Sequence, residues 1–231
     1  MESQVISYLQ MCSREGVNLQ AGMNFQLGGH YSVILMSVRP NAPYRDELLP
    51  DGTTLIYEGH DTPRTSPAID PKAVNQPEGT SAGTLTQNGR LHQAAQAAKL
   101  GTRLPELVRV YEKIRPGIWA DNGFFELVDS WLENDGKRNV FKFKLAAIEK
   151  EPRVGAARVL HEHGQRRGLI PTQVRLEVWK RDGGKCVILG SSDELHFDHI
   201  ISCSRGGTSL KADNIQWLYA RQNIAKRDNI E

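Results

Sequence analysis

The chain has 231 residues, of which 39% are hydrophobic and 24% charged, with a net charge of +2. That balance excludes a disordered tail, a collagen and a coiled coil, and no apolar run approaches the roughly 18–20 residues that span a bilayer. Residues 151–231 hold 13 Lys+Arg against 10 Asp+Glu and residues 1–150 hold 16 against 17, an excess that permits a polyanionic partner without demanding one.

In chain order, residues 2–20 are expected to form a short amphipathic helix, because Val5, Leu9 and Cys12 recur at helical spacing. The opening MESQVISYLQMCSREG has no basic stretch ahead of an apolar core, so no leader is expected. Cys12, Cys186 and Cys203 are too few for a disulfide framework, which points to the reducing cytoplasm. HYSVILMSV (30–38) reads as a buried strand, and RPNAPY breaks it. Pro50-Asp51-Gly52 is a turn signal before a second strand, TTLIYEG. Residues 61–84, rich in Pro, Thr, Ser and Gly, read as a long surface loop. NGRLHQAAQAAKL (88–100) is helical, with Asn88 as candidate cap and Gly101 as stop. LVRVYEKI (107–114) is a strand ended by Gly117, and Asp121-Asn122-Gly123 reads as a hairpin turn before the strands FFELVDSWLE and VFKFKLAAI. Residues 151–172, with Pro, Gly and four arginines, read as a linker holding a short helix at 154–163. TQVRLEVWKRD follows as a helix capped by Thr172 and stopped by Gly183-Gly184. Two short strands and a terminal helix then run through 186–201 and 214–226.

The stretch 175–226 carries an ordered set of chemistry-bearing residues. It contains Asp198-His199-Ile200, Gly206-Gly207, Asn214-Ile215-Gln216, and Asn223 with Lys226 one helical turn on, led by a helix that ends Arg181-Asp182-Gly183-Gly184-Lys185-Cys186. This set resembles the HNH endonuclease family. Phosphodiester hydrolysis needs an activated water and neutralisation of developing charge. A histidine suits the base because its pKa lies near neutrality, and Asp and Asn oxygens suit Mg²⁺ or Mn²⁺. The resemblance implies His199 as general base, Asp198 and Asn223 as metal ligands, Asn214 orienting the His199 ring through the backbone, and Lys226 on phosphate. His196, two residues before Asp198, shares its strand face. Many members carry two Cys-x-x-Cys pairs that bind zinc. Here Leu189, Tyr219 and Gln222 stand where three of those cysteines would be, so no structural zinc is expected, and Leu189, Leu218 and Tyr219 are expected to form an apolar cluster in its place.

The segment 28–131 resembles the SRA (SET- and RING-associated, or YDG) family. The matching residues are Gly29-His30-Tyr31-Ser32-Val33, Tyr44 and Asp46, Ile56-Tyr57-Glu58-Gly59, Leu85-Thr86-Gln87-Asn88, Val108-Arg109-Val110-Tyr111 and Asp121-Asn122-Gly123-Phe124-Phe125-Glu126-Leu127-Val128. The family's Tyr-Asp-Gly appears as Asp-Asn-Gly, so its namesake tyrosine is missing. SRA domains flip 5-methylcytosine out of duplex DNA. Extrusion costs a few kcal/mol, which aromatic faces can offset, and a carboxylate that accepts the exocyclic amine rejects thymine. The resemblance implies a pocket in which Tyr44 and Tyr57 stack, Asp46 accepts the amine and the Glu58-Gly59 backbone meets the Watson–Crick edge. Loop 61–84 and Thr86, Gln87 and Asn88 are the candidates for groove insertion.

Together these readings imply an α+β protein. Residues 1–152 form an SRA-like curved β-sheet or barrel domain with flanking helices, 153–171 a linker, and 172–231 a small ββα-metal HNH domain. The implied function is that of a modification-dependent restriction endonuclease in a prokaryotic cytoplasm. It binds double-stranded DNA containing 5-methylcytosine or 5-hydroxymethylcytosine and cuts nearby with Mg²⁺ or Mn²⁺. Since one such site cuts one strand, the active form is expected to be a homodimer, with Trp179, Trp217 and Leu218 as candidate contacts. The rival readings are a non-enzymatic reader of modified DNA with an inactive nuclease domain, and a nuclease without modification dependence.

Overall fold

The computed structural model describes residues 4–64, 70–148, 169–192, 194–201 and 205–219. These residues form a mixed α+β molecule around one ten-stranded sheet. The strands are β1 (Gln4–Ser7), β2 (Met23–Leu27), β3 (Tyr31–Met36), β4 (Glu47–Leu48), β5 (Thr54–Glu58), β6 (Glu106–Arg115), β7 (Ile118–Asn134), β8 (Asn139–Ala147), β9 (Leu195–His199) and β10 (Ile215–Tyr219). The helices are α1 (Tyr8–Glu15), α2 (Gln87–Lys99) and α3 (Thr172–Asp182). Along the sheet the order is β10-β9-β1-β7-β6-β3-β2, with β8 on β7, β5 on β8 and β4 on β5. All ladders are antiparallel except β3 on β6.

The first element departs from the expected helix over 2–20. Gln4–Ser7 is a strand, and the helix begins only at Tyr8, where Ser7 and Gln10 form a capping box. Its buried face is Met11, while Leu9 points outward. The gain for β1 is pairing on both edges, with β7 through Gln4↔Asp121 to Ser7↔Ile118 and with β9 through Gln4↔His196. Those ladder bonds satisfy backbone groups that water would otherwise claim.

The expected hairpin turn at Asp121-Asn122-Gly123 is a correction. These residues lie inside the 17-residue β7, and the chain reverses at Pro116-Gly117, between Arg115 and its partner Ile118. The registers Arg109↔Phe124 and Tyr111↔Asp121 leave two residues of β7 opposite one of β6. This is a β-bulge, and Gly123 at φ +75° is the residue it requires. Asp121 fixes the bulge by accepting from the Gly123 N–H at 2.9 Å and from Arg109 Nη2 at 2.6 Å.

Alternation along β3, β6, β7 and β8 buries Ile34, Val108, Val110, Phe125, Leu127, Phe143 and Leu145 under α2, which adds Leu91, Ala94 and Ala95. A second core gathers Ile170, Val174, Val178, Cys186, Leu195, Phe197, Ile215, Trp217 and Leu218, with Val5 of β1 packed against it. Burying Val5 there ties the N-terminal strand to the C-terminal core. Trp217 is fully buried between Phe197 and Trp179, at ring-centroid distances of 4.0 and 5.5 Å. Trp217 and Leu218 are therefore core residues rather than dimer contacts. The expected cluster of Leu189, Leu218 and Tyr219 does not form as drawn either. Leu189 is 54% exposed, and Cys186 takes the inward place, its Sγ accepting the Leu189 N–H at 3.4 Å.

Thr172 does not cap α3: Pro171 is the cap residue. The Thr172 hydroxyl donates instead to Glu112 on β6, and Arg175 Nη1 binds the same carboxylate at 2.8 Å. The linker residues 153–168, with the helix expected at 154–163, lie outside the described residues, as do Cys203, Gln222, Asn223, Lys226 and the terminal helix. No helix among the described residues is long and apolar enough to cross a membrane.

Candidate functional site

Strand β5 ends in Tyr57-Glu58 and the segment after β3 carries Tyr44 and Asp46, so two short stretches meet at one end of the sheet. A cavity of about 720 Å³ opens there, lined among others by Gly22, Ser37, Arg39, Tyr44, Asp46 and His60. Asp46 is its anchored acid. Oδ2 accepts the Ser37 N–H at 2.9 Å and Oδ1 accepts the Glu58 N–H at 3.1 Å. Burial raises its pKa from the usual carboxylate value to about 7, against the pull of those two amides. Each oxygen keeps a further lone pair for a donor.

The aromatic arrangement differs from the expected pair. Tyr57 is only 1% exposed, and its hydroxyl donates to the Gly22 carbonyl at 3.2 Å. His60 stands between the two tyrosines. Its ring stacks on Tyr44 with centroids 5.0 Å apart and planes 11° apart, and it lies 6.1 Å from the Tyr57 ring. Its Nε2 is 2.9 Å from the Tyr57 hydroxyl. Burial lowers the His60 pKa to about 4, so the imidazole is neutral at pH 7. The Lys72 ammonium lies 4.1 Å from the centroid of the Tyr44 ring and pairs with Asp61 at 2.8 Å.

Three of the four backbone groups of Glu58 and Gly59 are engaged within the protein. The Glu58 N–H is spent on Asp46, the Gly59 N–H on the Phe141 carbonyl at 2.8 Å, and the Gly59 carbonyl accepts Gln76 Nε2 at 2.6 Å. The Glu58 side chain pairs with Lys142 at 3.0 Å. Thr86, Gln87 and Asn88 are likewise held inward. The Thr86 hydroxyl caps α2 and donates to Pro77 O, and Gln87 Oε1 accepts the Phe25 N–H at 2.8 Å. Asn88, 2% exposed, clamps the His60 backbone on both sides at 2.8 Å. These three residues tie the start of α2 to β2, to Pro77 and to the His60 backbone. The part of the loop over 61–84 that is described is also anchored, by Gln76 and by Arg138, which binds Asp61 at 2.6 Å and the Pro71 carbonyl.

The second site is the β9–β10 hairpin. Asp198 and His199 are adjacent on β9 and so face opposite sides of the ladder. Asp198 is 4% exposed, and Oδ2 accepts from Gln216 Nε2 at 2.9 Å across the register pair Gln216↔Asp198. His199 Nε2 is 2.9 Å from the Ser209 hydroxyl. The Asn214 side chain accepts the Ile201 N–H at 2.8 Å and donates to the Ile201 and Thr208 carbonyls. Its own carbonyl accepts the Ile200 N–H at 2.8 Å. Asn214 thus pins the turn that leaves His199. Gly207 lets the turn close, because a Cβ there would meet the Ile201 carbonyl oxygen at 1.8 Å. His196, whose pKa burial lowers, pairs in the ladder with Leu218 and with Gln4 of β1. Among the described residues no group of three or more His, Cys, Asp or Glu could hold a metal. Asp198 is an oxygen donor of the kind hard cations take.

No protein-family model matches the chain, and no curated protein matches it in sequence. Solved structures similar to it include the SUVH5 SRA domain with hemimethylated CG DNA, at a TM-score of 0.43 and 22% identity over 65% of this chain and 90% of that one. The SUVH5 SRA domain bound to fully hydroxymethylated CG DNA has a TM-score of 0.42 and 20% identity over 67% and 93%. KRYPTONITE in complex with mCHG DNA has a TM-score of 0.40 and 16% identity, over 66% of this chain and 33% of that one.

Proposed function

We propose that the chain is a modification-dependent DNA endonuclease. Its β5 end would receive an extruded 5-methylcytosine or 5-hydroxymethylcytosine, and its β9–β10 hairpin would hydrolyse a nearby phosphodiester bond. The observation that carries the reader half is Asp46. It is a carboxylate held by two backbone amides at an aromatic-lined cavity, with lone pairs left for a donor. A cytosine exocyclic amine is such a donor, and thymine, with a carbonyl at that position, would leave a buried acceptor unpaired, which costs about 1–3 kcal/mol. Apolar wall from Leu35, Met36 and Trp119 suits a methylated ring edge.

For the nuclease half, support comes from the Asp198-His199…Asn214 set and from the way Asn214 fixes the turn beside His199. His199 would take the proton of the attacking water through a ring nitrogen, with Ser209 setting the ring's orientation. Asp198, oriented by Gln216, and Asn223 would hold a divalent cation. When bound, that ion would stabilise charge on the phosphate and the leaving oxygen. Lys226 would contact phosphate. The reading carries no structural zinc, and the packing of Cys186 into an apolar core supports it.

One experiment tests both halves. Asp46→Ala and His199→Ala are assayed for binding and cleavage on matched duplexes bearing C or 5-methyl-C. Asp46→Ala is expected to lose the preference for the modified duplex, by about 10-fold or more. His199→Ala is expected to keep binding while cutting falls by about 10²–10⁴-fold, the usual contribution of a general base. Unchanged preference in the first variant, or substantial nicking by the second, refutes the corresponding assignment.

A further inference from the structure

We propose that His60 is a built-in occupant of the base site. Its imidazole holds the place between Tyr44 and Tyr57, and it must swing out before a base can enter. This rests on the reading of that cavity as a base pocket.

The seat is fitted to the ring. Gly22 faces it so closely that a Cβ there would lie 2.7 Å from both Cε1 and Nε2, so any larger residue would push the imidazole from this seat. One face stacks on Tyr44, and Nε2 is tied to the Tyr57 hydroxyl. A flat, neutral, nitrogen-bearing ring between two tyrosines is what an extruded pyrimidine would also be. With centroids 5.0 Å apart, Tyr44 and His60 leave no room for a base between them. The backbone of His60 cannot carry the ring away, because Asn88 holds both its N–H and its carbonyl. Rotation about the side-chain torsions is the remaining route, and the cavity that His60 itself lines supplies the space.

The plug has a quantitative consequence. If the site accepts a base only when His60 is out, the apparent affinity is reduced by the fraction of molecules in that state. This reduction applies to every base alike. The plug therefore lowers affinity without creating preference, which stays with Asp46.

The test uses the full chain and matched duplexes bearing C or 5-methyl-C at one position. His60→Ala is expected to bind the modified duplex about 10-fold more tightly while retaining the wild-type preference. In the wild-type protein, the His60 Cε1–H resonance, assigned by comparison with His60→Gln, is expected to leave its ring-stacked position on adding modified duplex and not on adding unmodified duplex. That second readout needs no destabilised variant. If the wild type prefers modified DNA but His60→Ala binds it equally or more weakly, or the resonance stays stacked, His60 is a wall residue and the plug is refuted while the pocket stands. If neither protein prefers modified DNA, the reading of the pocket fails and the plug falls with it.

Discussion

Asp46 and His60 share one cavity and respond to acid in opposite senses. The folded pKa of Asp46 is raised by burial to about 7, above its unfolded value, so the unfolded chain releases its proton first as pH rises. Its contribution is most favourable below about pH 4 and is lost progressively toward pH 7. The folded pKa of His60 is lowered by burial to about 4, below its unfolded value near 6.5. The unfolded chain therefore takes up the proton first as pH falls, and stability is lost from about pH 6.5 down to 4. The two windows overlap, so in the wild type the slopes largely cancel. Each tenfold displacement of a protonation equilibrium is worth about 1.4 kcal/mol, so removing one group exposes a slope of a few kcal/mol from the other. In urea titrations between pH 4.5 and 7, His60→Ala should gain stability on acidification relative to the wild type, and Asp46→Ala should lose it. Parallel profiles for all three proteins would show that the two groups are not buried as described. Facing groups that titrate or carry charge are Tyr44, Tyr57, Glu58, Asp61, Lys72 and Lys142, and they are common to all three proteins.

Among the elements, the long strands are the most legible, because apolar and β-branched runs mark strands buried over most of their length. VRVYEKI and VFKFKL lie in β6 and β8, where burial is nearly continuous: Val108, Val110, Phe141, Phe143 and Leu145 sit in the core under α2, and Tyr111 packs on the other side with Ile6, Met11 and Trp119. Two features differ from the sequence pattern. Asp-Asn-Gly serves a hairpin turn and a bulge equally well, since both need glycine at positive φ, and only the partner strand tells them apart. The strand β1 is four residues long, and nothing local marks it. What makes it a strand is the pair of remote edges of β7 and β9. The candidate site was half legible. Tyr44 and Asp46 line the cavity, but His60 beside them is not legible, because a single histidine after Glu58-Gly59 has no periodicity to read. The one contact that no pattern announces is Glu112 with Thr172 and Arg175. Arg175 is wholly buried, which pulls its pKa down against the pull of Glu112, and its Nε and Nη2 find no acceptor among the described residues. Glu112→Gln would leave that cation uncompensated between β6 and α3, a loss of about 3–5 kcal/mol. The expected outcome is a lowered urea midpoint with faster amide exchange in α3. A midpoint within experimental scatter of the wild type would show that the pair contributes nothing net.

Over the whole molecule, β1 links the two halves by hydrogen-bonding to β7 on one edge and β9 on the other, and the Glu112 contact adds a second tie. A reader and a nuclease joined in this way would cut at a set distance from the modified base. The chain holds a single Asp198-His199…Asn214…Asn223 set, so a double-strand break calls for a second copy, most simply about a two-fold axis. With Trp217 and Leu218 buried, such a contact would use other residues. Light scattering is expected to give a two-chain mass on DNA carrying modified cytosine on both strands, and a one-chain complex that still breaks both strands in a single binding event would refute the dimer. The most direct test of the account is cleavage of three duplexes identical except for C, 5-methyl-C or 5-hydroxymethyl-C at one site, each with Mg²⁺ or with EDTA. Cutting is expected at a fixed distance from the modified base, only on modified DNA and only with Mg²⁺. Equal cutting of all three duplexes, or no cutting of any with Mg²⁺ present, would contradict it.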